Sequence, residues 1–288
     1  MLGPSPLVLQ MSFRLIKKWA ESHKLNRLRT LAHAALRPCS FPRVAFIFGC
    51  QRSGTTLLRN FIGLDSRFRD IGEGDTPYFH QERGSRYLRL LEDDQVEALV
   101  CSQKSPWVLL KPLHDSQRAV ELLARFKESR GIWIFRHYDM VVQSHLGYYR
   151  HDPMEYLQPL KQMDRSSWML SGLENQNLER VRELVELAGE SVANLYAVFW
   201  YARNALLFQH LQRANLLVVA YEDLVGSPHQ CLQAFNRHLG TELSTQALVM
   251  PRKSAANSVS SSALMIEIRI ACEEMYKELL AVRRVPLV

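Results

Sequence analysis

The sequence predicts an α/β fold of three layers: a central parallel sheet flanked by helices on both faces, built around a P-loop-type turn. Short apolar, β-rich runs recur at 44–48 (VAFIF), 107–110 (WVLL), 132–135 (IWIF) and 216–221 (LLVVAY). Helical stretches separate them, and strands alternating with helices imply parallel strands covered on both faces. The first run passes through Gly49-Cys50-Gln51-Arg52-Ser53-Gly54 into the helical run 55–64. Strand, Gly-rich turn, helix is the context that gives a P-loop match weight. Ligands of such sheets bind beyond the carboxyl ends of the strands.

Taken in order, residues 1–43 form a basic, helix-patterned leader and 44–288 a single domain. The leader holds eight Lys/Arg against one acid, Glu21, which accounts for the whole net charge of +7. Within 12–36, Phe13, Ile16, Ala20, Leu28, Leu31 and Ala35 recur at roughly helical spacing among lysines and arginines. That pattern reads first as a helix packed on the domain with a solvated basic face. Its alternative is a helix lying on an anionic membrane surface as a peripheral contact. Helices are expected at 115–129 and along 178–213. The aromatic stretch 194–208 (NLYAVFWYARNALLF) reads as a core helix. Residues 147–177 and the Ser-rich 251–262 break the alternation and read as binding or lid loops.

Composition narrows the function classes. Hydrophobic content of 47% and charged content of 23% are those of a globular protein. No run approaches the ~18 consecutive apolar residues of a membrane span. The balanced body gives no footing for nucleic acid. Cys39, Cys50, Cys101, Cys231 and Cys272 are scattered, without CxxC or His clusters at ligand spacing. They read as reduced thiols of a cytoplasmic protein, and no metal site is expected.

The loop lacks one residue that nucleotide hydrolysis needs. After Gly54 a P-loop continues with Lys and then Ser or Thr, whereas this chain reads Thr55-Thr56. Backbone N–H groups of Ser53 through Leu57, at a helix N-terminus, still make an anion site, and the two threonines add hydroxyl donors. Arg52 can supply the missing cation with bidentate geometry. The site suits a 5′-phosphate-type anion more than a metal-bridged triphosphate.

The stretch FGCQRSGTTLL resembles the 5′-phosphosulfate loop of sulfotransferases that use 3′-phosphoadenosine 5′-phosphosulfate (PAPS). IWIFRHYDMVVQSHL is similar to that family's 3′-phosphate motif, with Arg136 closing a strand and Ser144 eight residues on. Tyr138 stands where the family has Pro. VLLKPLHDSQRAVELLARF and LLVVAYEDLVGSPHQCLQAFNRHLG resemble two further family segments, so the resemblance spans about 44–242. It implies that Arg52, Ser53, Gly54, Thr55, Thr56 and Leu57 hold the 5′-phosphosulfate and that Arg136 and Ser144 hold the 3′-phosphate. Arg252 and Lys253 stand where the family has a basic loop closing on that phosphate, although Ser254 replaces its Gly. Lys111 would steady the departing charge. For the general base the resemblance offers Glu73, as in the glycan and protein-tyrosine enzymes, ahead of His114, with Asp75, His80 and Glu82 behind. His114 lies one residue beyond the place of the phenol-type histidine, which Leu113 occupies. Glu222 reads as a structural carboxylate. The implied activity is sulfuryl transfer from PAPS to a hydroxyl on a sugar, glycolipid or peptide, without a metal. The alternatives are a P-loop kinase and an inactive relative that binds nucleotide or membrane.

Overall fold

A computed structural model describes residues 42–72, 78–81, 87–126, 128–148, 152–243 and 264–284. The basic leader through residue 41 and the Ser-rich segment 251–262 lie outside these residues.

Five parallel strands form the sheet: β1 (Arg43–Gly49), β2 (Phe68–Ile71), β5 (Trp107–Leu110), β6 (Arg130–Phe135) and β7 (Leu216–Ala220), in the order β2-β5-β1-β6-β7. A separate antiparallel hairpin joins β3 (Phe79–Gln81) to β4 (Leu88–Leu90). β1 is central. Its alternate residues face opposite cores, with Val44, Phe46 and Phe48 on one side and Ala45 and Ile47 on the other. All five are fully buried, as expected for a strand covered on both faces. Each large apolar side chain so buried contributes about 1.5–3 kcal/mol.

The first core is closed by α2 (Asp93–Cys101), α3 (Ala119–Arg125), α4 (Tyr138–Tyr148), α5 (Pro153–Lys161), α6 (Asn175–Ala188), α7 (Val192–Phe208) and α10 (Ile266–Val282). The second is closed by α1 (Thr55–Gly63), α8 (Tyr221–Gly226) and α9 (Pro228–Leu239). The layering is therefore the expected helix–sheet–helix. α7 is buried on every side from Asn194 to Leu207 apart from a half-buried Tyr201, which is why its sequence is apolar all round and not striped.

Four local expectations are corrected. The run 178–213 is two helices, α6 and α7, broken at Gly189-Glu190-Ser191, where the Ser191 side chain caps α7 by accepting from Asn194 N–H. The run 115–129 opens as a 3-10 helix, Leu113–Arg118, and only α3 is α-helical. The reason is that Asp115 and Ser116 commit their side chains to other segments: Ser116 Oγ accepts from Gly49 N–H at 3.3 Å. Residues 147–177 include a regular helix, α5, with Asp152 as its N-cap and Pro153 at its first position. Finally, β2 is a strand that the apolar runs do not reveal. Its inner residues are Arg69 and Asp70, and it sits at the sheet edge.

Candidate functional site

The site lies where β1 gives way to α1, beside the carboxyl ends of β5, β6 and β7. Gly49 closes β1 with φ 135°, and a Cβ there would stand 2.2 Å from the Ile134 carbonyl oxygen of β6. Gly54 caps α1 at φ 90°, and a Cβ there would meet the Tyr221 ring at 2.3 Å. Both glycines are therefore required by space as well as by conformation. Leu58 N–H makes the first intrahelical bond, to Gly54 O at 3.0 Å, so the N–H groups of Thr55, Thr56 and Leu57 precede the helix ladder. They form the positive end of the α1 dipole. Ser53 is fully buried, with its side chain beside the Cys50 thiol.

Four predicted cationic or hydroxyl groups, Arg52, Ser144, Lys111 and Arg136, lie around this turn. Arg52 adopts φ 67°, and its Nε donates to Ser144 Oγ of α4 at 3.0 Å. The guanidinium carbon lies 4.1 Å from the Tyr148 ring centroid. The groups read as binding the two ends of one ligand, Arg52 and Ser144, are thus in direct contact. Lys111, buried at the end of β5, donates from Nζ to Thr56 Oγ1 at 3.3 Å. Arg136 ends β6, and its guanidinium carbon stacks 4.3 Å above the Tyr221 ring. Its Nε is buried without a hydrogen-bond partner among the described residues. Neither Arg52 nor Arg136 forms an ion pair among those residues. Two guanidiniums without an ion pair among the described residues, near a helix N-terminus, are an arrangement that can hold an anion.

His114 lies in the 3-10 helix after Lys111. Its Nδ1–H donates to Leu88 O of β4 at 3.1 Å, and that bond leaves Nε2 as the unprotonated nitrogen. Its ring packs edge-on against Trp168 at 4.5 Å. Burial pushes its pKa down to about 3, against the Leu88 hydrogen bond, which raises it. His114 is therefore neutral near pH 7 and weakly basic. The buried Asp115 carboxylate beside it accepts from Arg89 Nε at 2.7 Å and Leu90 N–H at 2.9 Å. Together they pin the β3–β4 hairpin to the end of β5. His80 is exposed on β3, opposite Arg89. Glu73, Asp75, Glu82, Arg252 and Lys253 lie outside the described residues; the chain leaves β2 toward Glu73 from Ile71, which pairs with Leu110 next to Lys111.

Several supporting groups carry no motif signal. Trp200, inside the aromatic run of α7, donates Nε1–H to Arg136 O at 2.9 Å. Glu222 Oε1 accepts from His137 N–H at 3.1 Å, a structural role that fixes the backbone after Arg136. His145 is fully buried and its ring stacks on Tyr196 at 4.6 Å. Burial, with the nearby Arg52 charge, holds its pKa down to about 3. Arg203 is buried beneath the site, donating to Trp168 O at 2.6 Å and Leu113 O at 3.1 Å. Among these only Glu222, in the Tyr-Glu-Asp stretch after β7, is legible in the sequence, as a structural carboxylate. Cys50 is buried in the loop with its thiol pushed up to about 12 by desolvation, so it is packing and not a nucleophile. Among the described residues no cluster of three or more His, Cys, Asp or Glu side chains could hold a metal ion, and no helix is long and apolar enough to cross a membrane.

No protein-family model matches the chain, and no curated protein matches it. Among solved structures it is similar to the sulfotransferase domain from the curacin biosynthetic pathway, at 16% identity and a TM-score of 0.49 over 86% of this chain and all of that one. It is likewise similar to the sulfotransferase domain of the Synechococcus PCC 7002 olefin synthase, at 16% identity and 0.48 over 83% and 97%. A mouse sulfotransferase solved in complex with PAP is similar at 13% identity and 0.46 over 88% and 89%. Identities and scores this low leave the roles of individual residues to the geometry of the site, and the solved structures that the chain resembles here are sulfotransferases.

Proposed function

We propose that the protein is a sulfotransferase using PAPS as donor and a hydroxyl group as acceptor. One observation carries the reading: the P-loop turn, Arg52 and Ser144 form one hydrogen-bonded unit, with Arg136 joined to it through the Tyr221 ring. A nucleotide bearing anions at both its 5′ and 3′ positions suits the guanidiniums of Arg52 and Arg136, neither of which forms an ion pair among the described residues. The buried Arg136 Nε, without a hydrogen-bond partner among the described residues, is the kind of polar group that a bound anion satisfies.

PAPS, when bound, supplies the sulfonate to be transferred. The N–H groups of residues 54–57 with the Thr55 and Thr56 hydroxyls would hold its 5′ end, and Arg136 would hold its 3′-phosphate. Lys111, held by Thr56 at the start of α1, places a positive charge where negative charge develops on the departing oxygen. The acceptor hydroxyl must lose its proton. His114 is poorly suited to take it, because burial lowers its pKa to about 3, so that its unprotonated Nε2 is a weak base. That favours Glu73 as general base and leaves His114 as the anchor of the hairpin. The acceptor hydroxyl belongs to a sugar, a glycolipid or a peptide, and the half-buried Tyr87, packed on the His114 ring, lies on the hairpin side of the site.

The test is transfer of labelled sulfonate from PAPS to a panel of glycans, glycolipids, phenols and peptides. The wild-type protein is expected to label at least one class. Glu73→Gln is expected to keep its affinity for 3′,5′-adenosine bisphosphate and lose turnover by about 10²–10⁴-fold. Undiminished turnover in Glu73→Gln would remove that residue from the role. Normal bisphosphate affinity with no labelling of any acceptor would favour an inactive nucleotide-binding relative.

A further inference from the structure

The Tyr221 ring touches both halves of the proposed donor site. Its Cδ2–Cε2 edge lies 2.3 and 2.9 Å from where a Gly54 Cβ would be, so the absence of a side chain at Gly54 lets the ring in. Its face carries the Arg136 guanidinium at 4.3 Å. Strand register brings this about, because Phe135 pairs with Ala220 and the next residues along β6 and β7 are Arg136 and Tyr221. One rigid ring therefore spaces the strand-end cation from the helix N-terminus.

The manner of support matters chemically. A carboxylate partner would hold Arg136 by occupying its N–H groups and cancelling its charge. An acidic side chain is adjacent, at Glu222, yet its Oε1 accepts from the His137 backbone. Arg136 makes no ion pair among the described residues, and its Nε is buried without a partner there. All guanidinium N–H groups lie in the plane of the group, so stacking on an aromatic face fixes that plane and leaves every donor and the full charge for a ligand. Trp200 Nε1–H on Arg136 O fixes the backbone end of the same side chain.

We infer that Tyr221 is a positioning residue that sets selectivity for a 3′-phosphorylated nucleotide, by holding the Arg136 guanidinium at a fixed distance from the anion-binding turn. The inference rests on the proposed function, in that Arg136 is taken to face a 3′-phosphate. It differs from a role for Tyr221 in gripping the nucleoside, which would weaken binding whether or not a 3′-phosphate is present.

Equilibrium titrations of the full chain with 3′,5′-adenosine bisphosphate and with 5′-AMP test it without an acceptor. The wild type is expected to prefer the bisphosphate. Tyr221→Leu should lose about tenfold of that preference, with AMP affinity within about twofold of wild type, and Tyr221→Phe should keep the preference. In an Arg136→Ala background, Tyr221→Leu should cost less than about a further twofold, because the two groups act through one contact. Equal weakening of both nucleotides in Tyr221→Leu would overturn the inference. So would an undiminished preference, or the full loss recurring in the Arg136→Ala background. A wild type that shows no preference for the bisphosphate would overturn the donor reading itself, and the inference with it; a wild type that prefers it while Tyr221→Leu does also would overturn the inference alone.

Discussion

Arg52 sits at φ 67°, a left-handed conformation that costs a non-glycine residue about 1–2 kcal/mol. The loop offsets this through the Ser144 hydrogen bond and the Tyr148 ring, and the outcome is a cation beside the N–H groups of α1. Gly54 is under a stricter constraint, with φ 90° and no room for a Cβ against Tyr221. Gly54→Ala is therefore expected to destabilise the fold by about 1–3 kcal/mol and to weaken bisphosphate binding; unchanged thermal unfolding and affinity would contradict the loop geometry. Lys111→Ala should retain bisphosphate affinity to within a few-fold while lowering turnover by about 10²–10³-fold, read as a split between binding and kcat. Arg52 was singled out in the sequence by the P-loop-type turn, and Lys111, Arg136 and Ser144 by the resemblance of the segments around them; the structure adds the contacts of Arg52 with Ser144 and of Lys111 with Thr56. Tyr221, Trp200 and His145 were not legible in their roles. Their contacts join residues far apart in the chain, and only strand order and helix packing bring them together.

Two elements frame the site from the β2 side. Arg59 of α1 forms a bidentate ion pair with Asp70 of β2, at 2.6 and 3.0 Å, and neither partner is freely exposed. The pair ties the phosphate-binding helix to the edge strand that leads toward Glu73. Arg59→Ala is expected to cost about 1–3 kcal/mol, because the Asp70 carboxylate is left poorly solvated and unpaired. A loss no larger than that of an exposed surface pair, measured by urea unfolding, would show that the clamp is idle. β2 escaped detection because a four-residue edge strand with Arg and Asp inside it carries no apolar signature. The 3-10 opening of the 115–129 run escaped for a different reason. Its helical periodicity is real, but Asp115 and Ser116 are drawn to β4 and the loop.

Among the described residues, four histidines are held neutral by burial. His114 and His145 are pushed down to about 3, and His210 and His238 to about 4. Their folded values lie below the unfolded one, so the unfolded chain binds more protons in acid. The stability they confer is present above about pH 6.5 and is lost as pH falls toward 3–4. Each group contributes a slope approaching ~1.4 kcal/mol per pH unit within that window. Urea unfolding midpoints should therefore drop steeply between pH 6.5 and 4; a flat profile there would show that these rings take up protons in the folded state. At this scale the three-layer architecture was readable from the alternation of runs. The order β2-β5-β1-β6-β7 was not, because apolar runs record burial and not neighbours. That order decides the chemistry, since it sets β6 beside β1 and so brings Arg136 toward the loop. The most direct measurement of the account is an equilibrium titration of the full chain in chelator, with 3′,5′-adenosine bisphosphate and 5′-AMP, and separately with ATP and Mg²⁺. The account predicts metal-independent bisphosphate binding in the micromolar range, with its preference over 5′-AMP lost in Arg136→Ala. Tight binding of ATP with Mg²⁺ and none of the bisphosphate would contradict it and favour a kinase.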